Sequence, residues 1–209
     1  MKRRAIAEQG GSWELARFSA SELATIAGIP LPLQRAWRAR GQLPGGSGKR
    51  ASFDSLEVAE IQVRYLLSLN GIAPSESGEI GAAAARLVLL FSLLNHDGAC
   101  EVRGDQAAQS DFLSAFEASE AIASEIAGSP EQFAYLWRGD GGAASLVRDI
   151  AQIVEDGGYV AHFFLDLIAA GSQLAERAER PLVSVSLPSE GSTKSTRRLT
   201  QGRRARTAK

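Results

Sequence analysis

The chain has 209 residues, a mass of 22.2 kDa and a formal net charge of −1, with 44% hydrophobic and 22% charged residues. That composition predicts a soluble globular protein with room for one full core or two small ones. A single cysteine, Cys100, excludes an intrachain disulfide or a one-chain thiolate cluster, and with only His96 and His162 no zinc site or other metal is expected. The longest apolar run, residues 82–94, is short for a bilayer and is broken by Arg86. No signal-peptide stretch follows MKRRAIAEQGG, so the expected location is the cytoplasm, with no membrane partner.

The charges are sorted along the chain. Residues 1–65 carry 10 Lys/Arg against 6 Asp/Glu, residues 66–190 carry 6 against 18, and residues 191–209 carry 7 against none. Basic ends flanking an acidic body suggest a polyanionic partner. The acidic body is also suited to hold the basic tail, or the basic N-terminal surface, within the molecule.

Residues 1–16 are expected to be loose, with Trp13 available as an anchor. In SASELATIAG (19–28), Ser19 and Glu22 form a capping-box pattern. Leu23, Ile26 and Ala27 form one buried face, and Gly28 ends the helix. Within IPLPLQRAWRARG (29–41), Pro30 and Pro32 suit a turn or a first helical turn. LQRAWRAR then makes a short helix. Leu33 and Trp37 take one side; Gln34, Arg35, Arg38 and, further round, Arg40 take the other. QLPGGSGKRASF (42–53) suits a two-stranded ribbon with Lys49 and Arg50 at its tip. A longer helix starts at Asp54, with Val58, Ile61, Tyr65 and Leu69 on one face and Leu66 beside them. Gly71 stops it. Another helix restarts at Pro74-Ser75 and runs to about His96. The apolar surface on these two helices needs a cover, either the C-terminal part or a second chain.

Residues 97–111 suit a polar loop. Helices are expected at 111–128, 142–158 (Leu146, Val147, Ile150 and Val154 on one face) and 168–180. Strands are expected at 132–137, 159–167 and 181–188, the last as an edge. This alternation predicts a small α/β domain with partly parallel pairing. The final 20 residues are almost without apolar side chains and suit a disordered basic tail.

Four features follow one another between Phe18 and Gly71. A capped helix ends in Ala27-Gly28-Ile29. A basic helix ends in Arg40-Gly41 with Leu43-Pro44 after it. A glycine-bearing basic segment leads into Phe53. A helix then runs into Leu69-Asn70-Gly71-Ile72. In this order and spacing they resemble the DNA-binding domain of the MerR superfamily. The resemblance covers a quarter of the chain. It implies a winged helix-turn-helix at 17–71, a double-stranded DNA partner, homodimerisation and transcriptional regulation without catalysis. Metal sensing is not implied, because the cysteines it needs are missing, and no cofactor is expected.

The expected fold is therefore mainly α with a small α/β part. After the winged helix-turn-helix come a connecting or dimerisation helix and loop (72–110), a regulatory or dimerisation α/β domain (111–189) and the tail (190–209). Arginine forks suit guanine O6 and N7, and glutamine suits adenine. Gln34, Arg35, Arg38 and Arg40 are the candidate contacts on the helix, with Lys49 and Arg50 lying along phosphates. The bland alternative is a solvated basic face. A second functional reading is an adaptor of phage packaging, excision or partition type that brings DNA to a partner docked on the α/β region. That region is also the place for a small-molecule effector.

No enzyme motif is complete. RGDGG (138–142) lacks the lysine of a P-loop and suits an ordinary turn. Asp166 has no base, nucleophile or metal partner in the pattern, and Glu155-Asp156 suits a solvated helix end. Cys100 is expected to be inert, His162 to lie in a core or interface, and His96 to end a helix.

Overall fold

Reciprocal capping hydrogen bonds start two of the helices. The computed structural model describes residues 12–44, 51–104, 133–136, 144–149, 151 and 163–187. The Ser19 hydroxyl accepts from Glu22 N while the Glu22 carboxylate accepts from Ser19 N, opening α1 (Ala20–Ile26). The helix caps at Ala27, and Gly28 turns the chain with φ +73°. Helix α2 (Leu31–Ala39) follows Pro30 and takes Pro32 in its first turn, where a missing N–H costs nothing. Asp54 and Glu57 repeat the capping box at the start of α3 (Ser55–Leu69), and α4 spans Gly78–Asn95.

Among the described residues three small sheets accompany the helices. Strands β2 (Arg17–Ser19) and β3 (Ser52–Asp54) pair antiparallel, with Phe18 opposite Phe53. Strand β8 (Val183–Ser186) lies between β1 (Ser12–Leu15), to which it is antiparallel, and β4 (Cys100–Arg103), to which it is parallel. Strand β5 (Phe133–Leu136) lies antiparallel between β6 (Ala144–Val147) and β7 (Phe163–Asp166). The fold is thus mixed α/β, with five α-helices among the described residues.

Helix α5 (Leu167–Ala178) joins the two ends of the chain. Asp166 caps it, its carboxylate accepting from Ile168 N at 2.9 Å and Ala169 N at 3.0 Å. It packs along α4 and against α1. Its Leu167 and Leu174 are fully buried in one core with Leu23 and Ile26 of α1, Val58 and Ile61 of α3, and Leu87 and Leu90 of α4. At the α4 crossing, a Cβ on Gly171 would lie 2.7 Å from Val88 O and 2.9 Å from Ser92 N. The Ser92 hydroxyl bridges the two helices, 2.8 Å from both Val88 O and Gly171 O. Across α5, buried Gln62 of α3 donates to Ala170 O at 3.1 Å.

Leu182 is a second junction. Its carbonyl accepts from Ala16 N at 2.9 Å and from the Ser55 hydroxyl, and its N–H donates to Ala99 O at 2.8 Å. One residue therefore ties the start of β8 to the β1–β2 link, the first turn of α3 and the segment after α4.

Several expectations from sequence are corrected. Residues 12–15 are a strand, not a loose end. The ribbon does not lie within 42–53: β3 pairs with 17–19, and 42–44 are not strand. The 97–111 loop contains a 3-10 turn (Asp97–Ala99) and β4. Residues 144–147 are strand rather than helix, and 181–188 supplies a central strand rather than an edge. Leu69 is 64% exposed instead of sharing the buried face of α3. Within the region expected as a C-terminal domain, α5 and β8 build their core with the N-terminal elements. That same helix packs along α4 and reaches α3, so the C-terminal part supplies cover for both, while Leu69 and Leu94 stay exposed. The expected helix at 111–128, Ile150, RGDGG, Val154, Glu155-Asp156, His162 and the basic tail lie outside the described residues.

By length and composition α4 reaches what a bilayer crossing needs, contrary to the estimate from its apolar run. The share of that span buried inside the protein is 61%.

Gly171→Ala is expected to lower stability by about 1–3 kcal/mol, because the added methyl meets backbone that cannot rotate away. Chemical denaturation measures it; an unchanged midpoint would show that the helices separate freely.

Candidate nucleic-acid interface

The α1–α2 pair is built around a short turn. Ala27, Ile29 and Trp37 are buried beneath it with Phe18, Leu23 and Phe53, so the two helices and the β2–β3 ribbon share one core. At 3.6 residues per turn, burying Leu33 and Trp37 turns Arg35 outward. Arg38 lies on one flank of that outward face, and Arg40 caps the helix on the other side. Arg35, Arg38 and Arg40 are all exposed, and none forms an ion pair among the described residues. The Arg38 guanidinium lies 5.9 Å from the centre of the Phe53 ring, at the outer limit of a cation–π contact.

Gln34 does not join them, which corrects its assignment as a base-reading residue. It is 2% exposed, and its side-chain amide donates to Ala20 O and Ile29 O, each at 3.0 Å. Those carbonyls sit at the start of α1 and in the turn. A buried carbonyl without a donor is costly, and the Gln34 amide supplies one to Ile29 O while adding a second bond to Ala20 O. Its role is to lock α2 against α1. Lys49 and Arg50 lie outside the described residues.

Two cations that sequence reasoning passed over lie against the same ribbon. Arg17 is exposed on β2 and donates to Ser52 Oγ at 3.0 Å and Ser52 O at 3.1 Å, pinning β2 to β3. Arg180, just past α5, donates to Arg17 O at 2.6 Å and Glu22 Oε1 at 2.8 Å, with its guanidinium 4.3 Å from the Phe18 ring centre. No local signal marks Arg180, because its partners lie some 160 residues earlier in the chain.

Arg64 fixes the exit from α2. Its guanidinium pairs with Glu60 and donates to Gln42 O at 3.1 Å and Gly78 O at 3.5 Å, joining the segment after α2 to α3 and the start of α4. A Cβ on Gly81 would come 2.9 Å from Arg64 Cγ, so a residue without a side chain gives the arginine its passage.

The remaining candidate groups behave as local chemistry dictates. Burial pushes the Cys100 thiol up to about 11, and the Glu101 carboxylate adds to the rise. The thiol therefore stays protonated at neutral pH and is a poor nucleophile. Asp166 is committed to capping α5. His96 caps the end of α4.

No protein-family model matches the chain, and no curated protein matches it.

Gln34→Ala is expected to cost about 1–3 kcal/mol by leaving the buried Ile29 carbonyl without its donor. Urea unfolding tests this; a change no larger than that of an exposed control such as Arg40→Ala would restore Gln34 to the surface. Glu22 gives a pH prediction. The Ser19 backbone N–H foremost, then the Ser19 side chain, hold its carboxyl below the ordinary range; partial burial opposes them and Arg180 adds a smaller pull. A depressed carboxylate contributes stability above its unfolded value of about 4.3, and that contribution is lost as pH falls through the lower folded value. Glu22→Gln should flatten this part of the acid transition in a denaturation series, and an identical pH profile would count against it.

Proposed function

We propose that the chain is a sequence-specific DNA-binding transcriptional regulator without catalysis, with a MerR-like winged helix-turn-helix at 17–71. The observation that carries this reading is the outward face of α2. Arg35 and Arg38 stand there, with Arg40 at the helix end, all without ion-pair partners among the described residues, on a helix whose opposite side is locked by Trp37 and Gln34. A solvated structural face gains most when its charges are paired with opposite ones along the helix. A face of unpaired planar cations suits guanine edges and phosphates. The β2–β3 ribbon beside α2 supports the wing, and the basic Lys49-Arg50 segment lies between α2 and β3 in the chain.

On this reading Arg35 and Arg38 reach base edges, and Arg40, Lys49 and Arg50 neutralise phosphates. The protein acts in the cytoplasm on double-stranded DNA. It acts as a homodimer, because one short helix reads too few base pairs to select a site. The region between β4 and α5 is then the place for an effector or partner.

Selection from a pool of random duplexes tests the reading. An enriched inverted repeat is expected from the intact chain and is lost in Arg35→Ala/Arg38→Ala. Retention without a motif, or equal retention by the double variant, would overturn it.

A further inference from the structure

Arg180 makes three kinds of contact with the α1–ribbon unit. Its guanidinium donates to the main chain of β2 at Arg17 O, pairs with Glu22 in the first turn of α1, and stacks on Phe18. The three partners belong to a strand, a helix and their shared core. Phe18 faces Phe53 across the ribbon, and Arg38 of α2 lies over Phe53. From the end of α5 the neighbours run from Arg180 to Phe18, then to Phe53 opposite it in the ribbon register, then to Arg38, 5.9 Å from the Phe53 ring centre. These neighbours lead from the end of α5 to a face of α2 proposed to read DNA.

The approach to Phe18 is strained. Glu179 ends α5 in the left-handed region, φ 54° and ψ 8°, where the next turn of a helix would otherwise continue. A residue with a side chain disfavours that conformation, and glycine is the usual occupant. The reversal aims Arg180 back at α1 instead of onward into solvent. Strain kept at a junction between two units is compensated by contacts it makes possible. Glu22 is doubly employed, holding Ser19 N with one oxygen and Arg180 with the other.

We propose that Arg180 is a positioning residue of the DNA-reading face, setting α1 and the ribbon, and through them α2, from the end of α5. This inference rests on the DNA-binding reading above. It makes α5 the route by which events in the C-terminal region reach that face. The guanidinium is consumed by protein partners, so its effect on DNA is indirect. A phosphate contact and a positioning contact then differ in measurable ways. Removing a phosphate contact lowers the slope of log affinity against log salt by about one, whereas removing a positioning contact leaves the slope alone. Lysine replaces arginine at a phosphate as a point charge but cannot reproduce a fork stacked on a ring.

The test uses the full chain with Arg180→Ala, Arg180→Lys, Glu22→Gln and the Arg180→Ala/Glu22→Gln pair. Glutamine at position 22 preserves the capping box. Affinity is titrated over several salt concentrations on a duplex recovered from the selection, or on the random pool if no motif emerges. Hydrogen exchange of the 17–22 amides is read in the free protein. Arg180→Ala is expected to weaken binding roughly tenfold with an unchanged salt slope, of the size usual for coupling between sites. Lysine should not rescue it, Glu22→Gln should reproduce it, the pair should be no worse than either alone, and the amides should exchange faster.

A reduced slope with rescue by lysine would overturn the proposal and make Arg180 a phosphate contact. Faster exchange with unaltered affinity would overturn it too, leaving a purely structural brace. Failure of the DNA-binding reading is seen separately, as Arg35→Ala/Arg38→Ala binding the same duplex as well as the parent.

Discussion

Helices α4 and α5 approach so closely at Gly171 that a single methyl group would strike the main chain of its neighbour. The rest of the molecule depends on that approach. It lets Leu167 and Leu174 reach the core, where each fully buried leucine contributes about 1.5–3 kcal/mol. It also brings the Ala170 and Gly171 carbonyls to Gln62 and Ser92, so helix main chain enters the core with its extra lone pairs used. Because α5 sits there, the chain beyond it returns to the N-terminal elements: Arg180 meets Glu22, Leu182 meets Ala16 and Ser55, and β8 meets β1. A wider crossing would move all three contacts outward together.

The shared core changes what an interface on α2 would be. The two-helix unit is not a bead on a linker. Its ribbon, its first helix and its exit segment are each held by a different arginine: Arg17 within the ribbon, Arg180 from α5, and Arg64 from α3. These cations point at carbonyls, carboxylates and a ring of the protein itself. Arg35 and Arg40, which have no such use, are left facing outward. The same residue type thus divides into two populations by partner, and Arg35 and Arg40 fall in the second, together with Arg86 on α4 and Arg177 on α5.

What could be read from sequence was local, and what could not was distant. The capping box at Ser19-Glu22 acts over three residues and was legible, as was the helix start at Asp54. So were the turn at Gly28, the burial of Trp37 and the exposure of Arg35, Arg38 and Arg40. Gln34 was misplaced because its helical position borders the buried face, and its partners, Ala20 O and Ile29 O, are invisible until the turn is folded. The segment ASLV at 144–147 is a short apolar run, which periodicity alone cannot divide between helix and strand. VSVS at 183–186 alternates like an edge strand, yet it is central: Ser184 and Ser186 face away from the core while both neighbours come from far along the chain. CEVR at 100–103 was hidden by its charges, which occupy the outer face of that sheet.

The position of β8 has a consequence for how the protein is made. The chain emerges from synthesis N-terminal part first. Strand β1 and strand β4 are then both present without the strand that joins them, and α4 waits with its apolar face bare until α5 follows. The α1–α2 unit can acquire its caps and its own small core early. The sheet and the α4–α5 crossing cannot form until residues near 186 exist, and closing contacts over so long a separation is slow. The nascent chain therefore passes through a stage with an unpaired strand and an uncovered apolar helix. Such species bind chaperones or one another. Slower arrival of residues near 186 prolongs that stage.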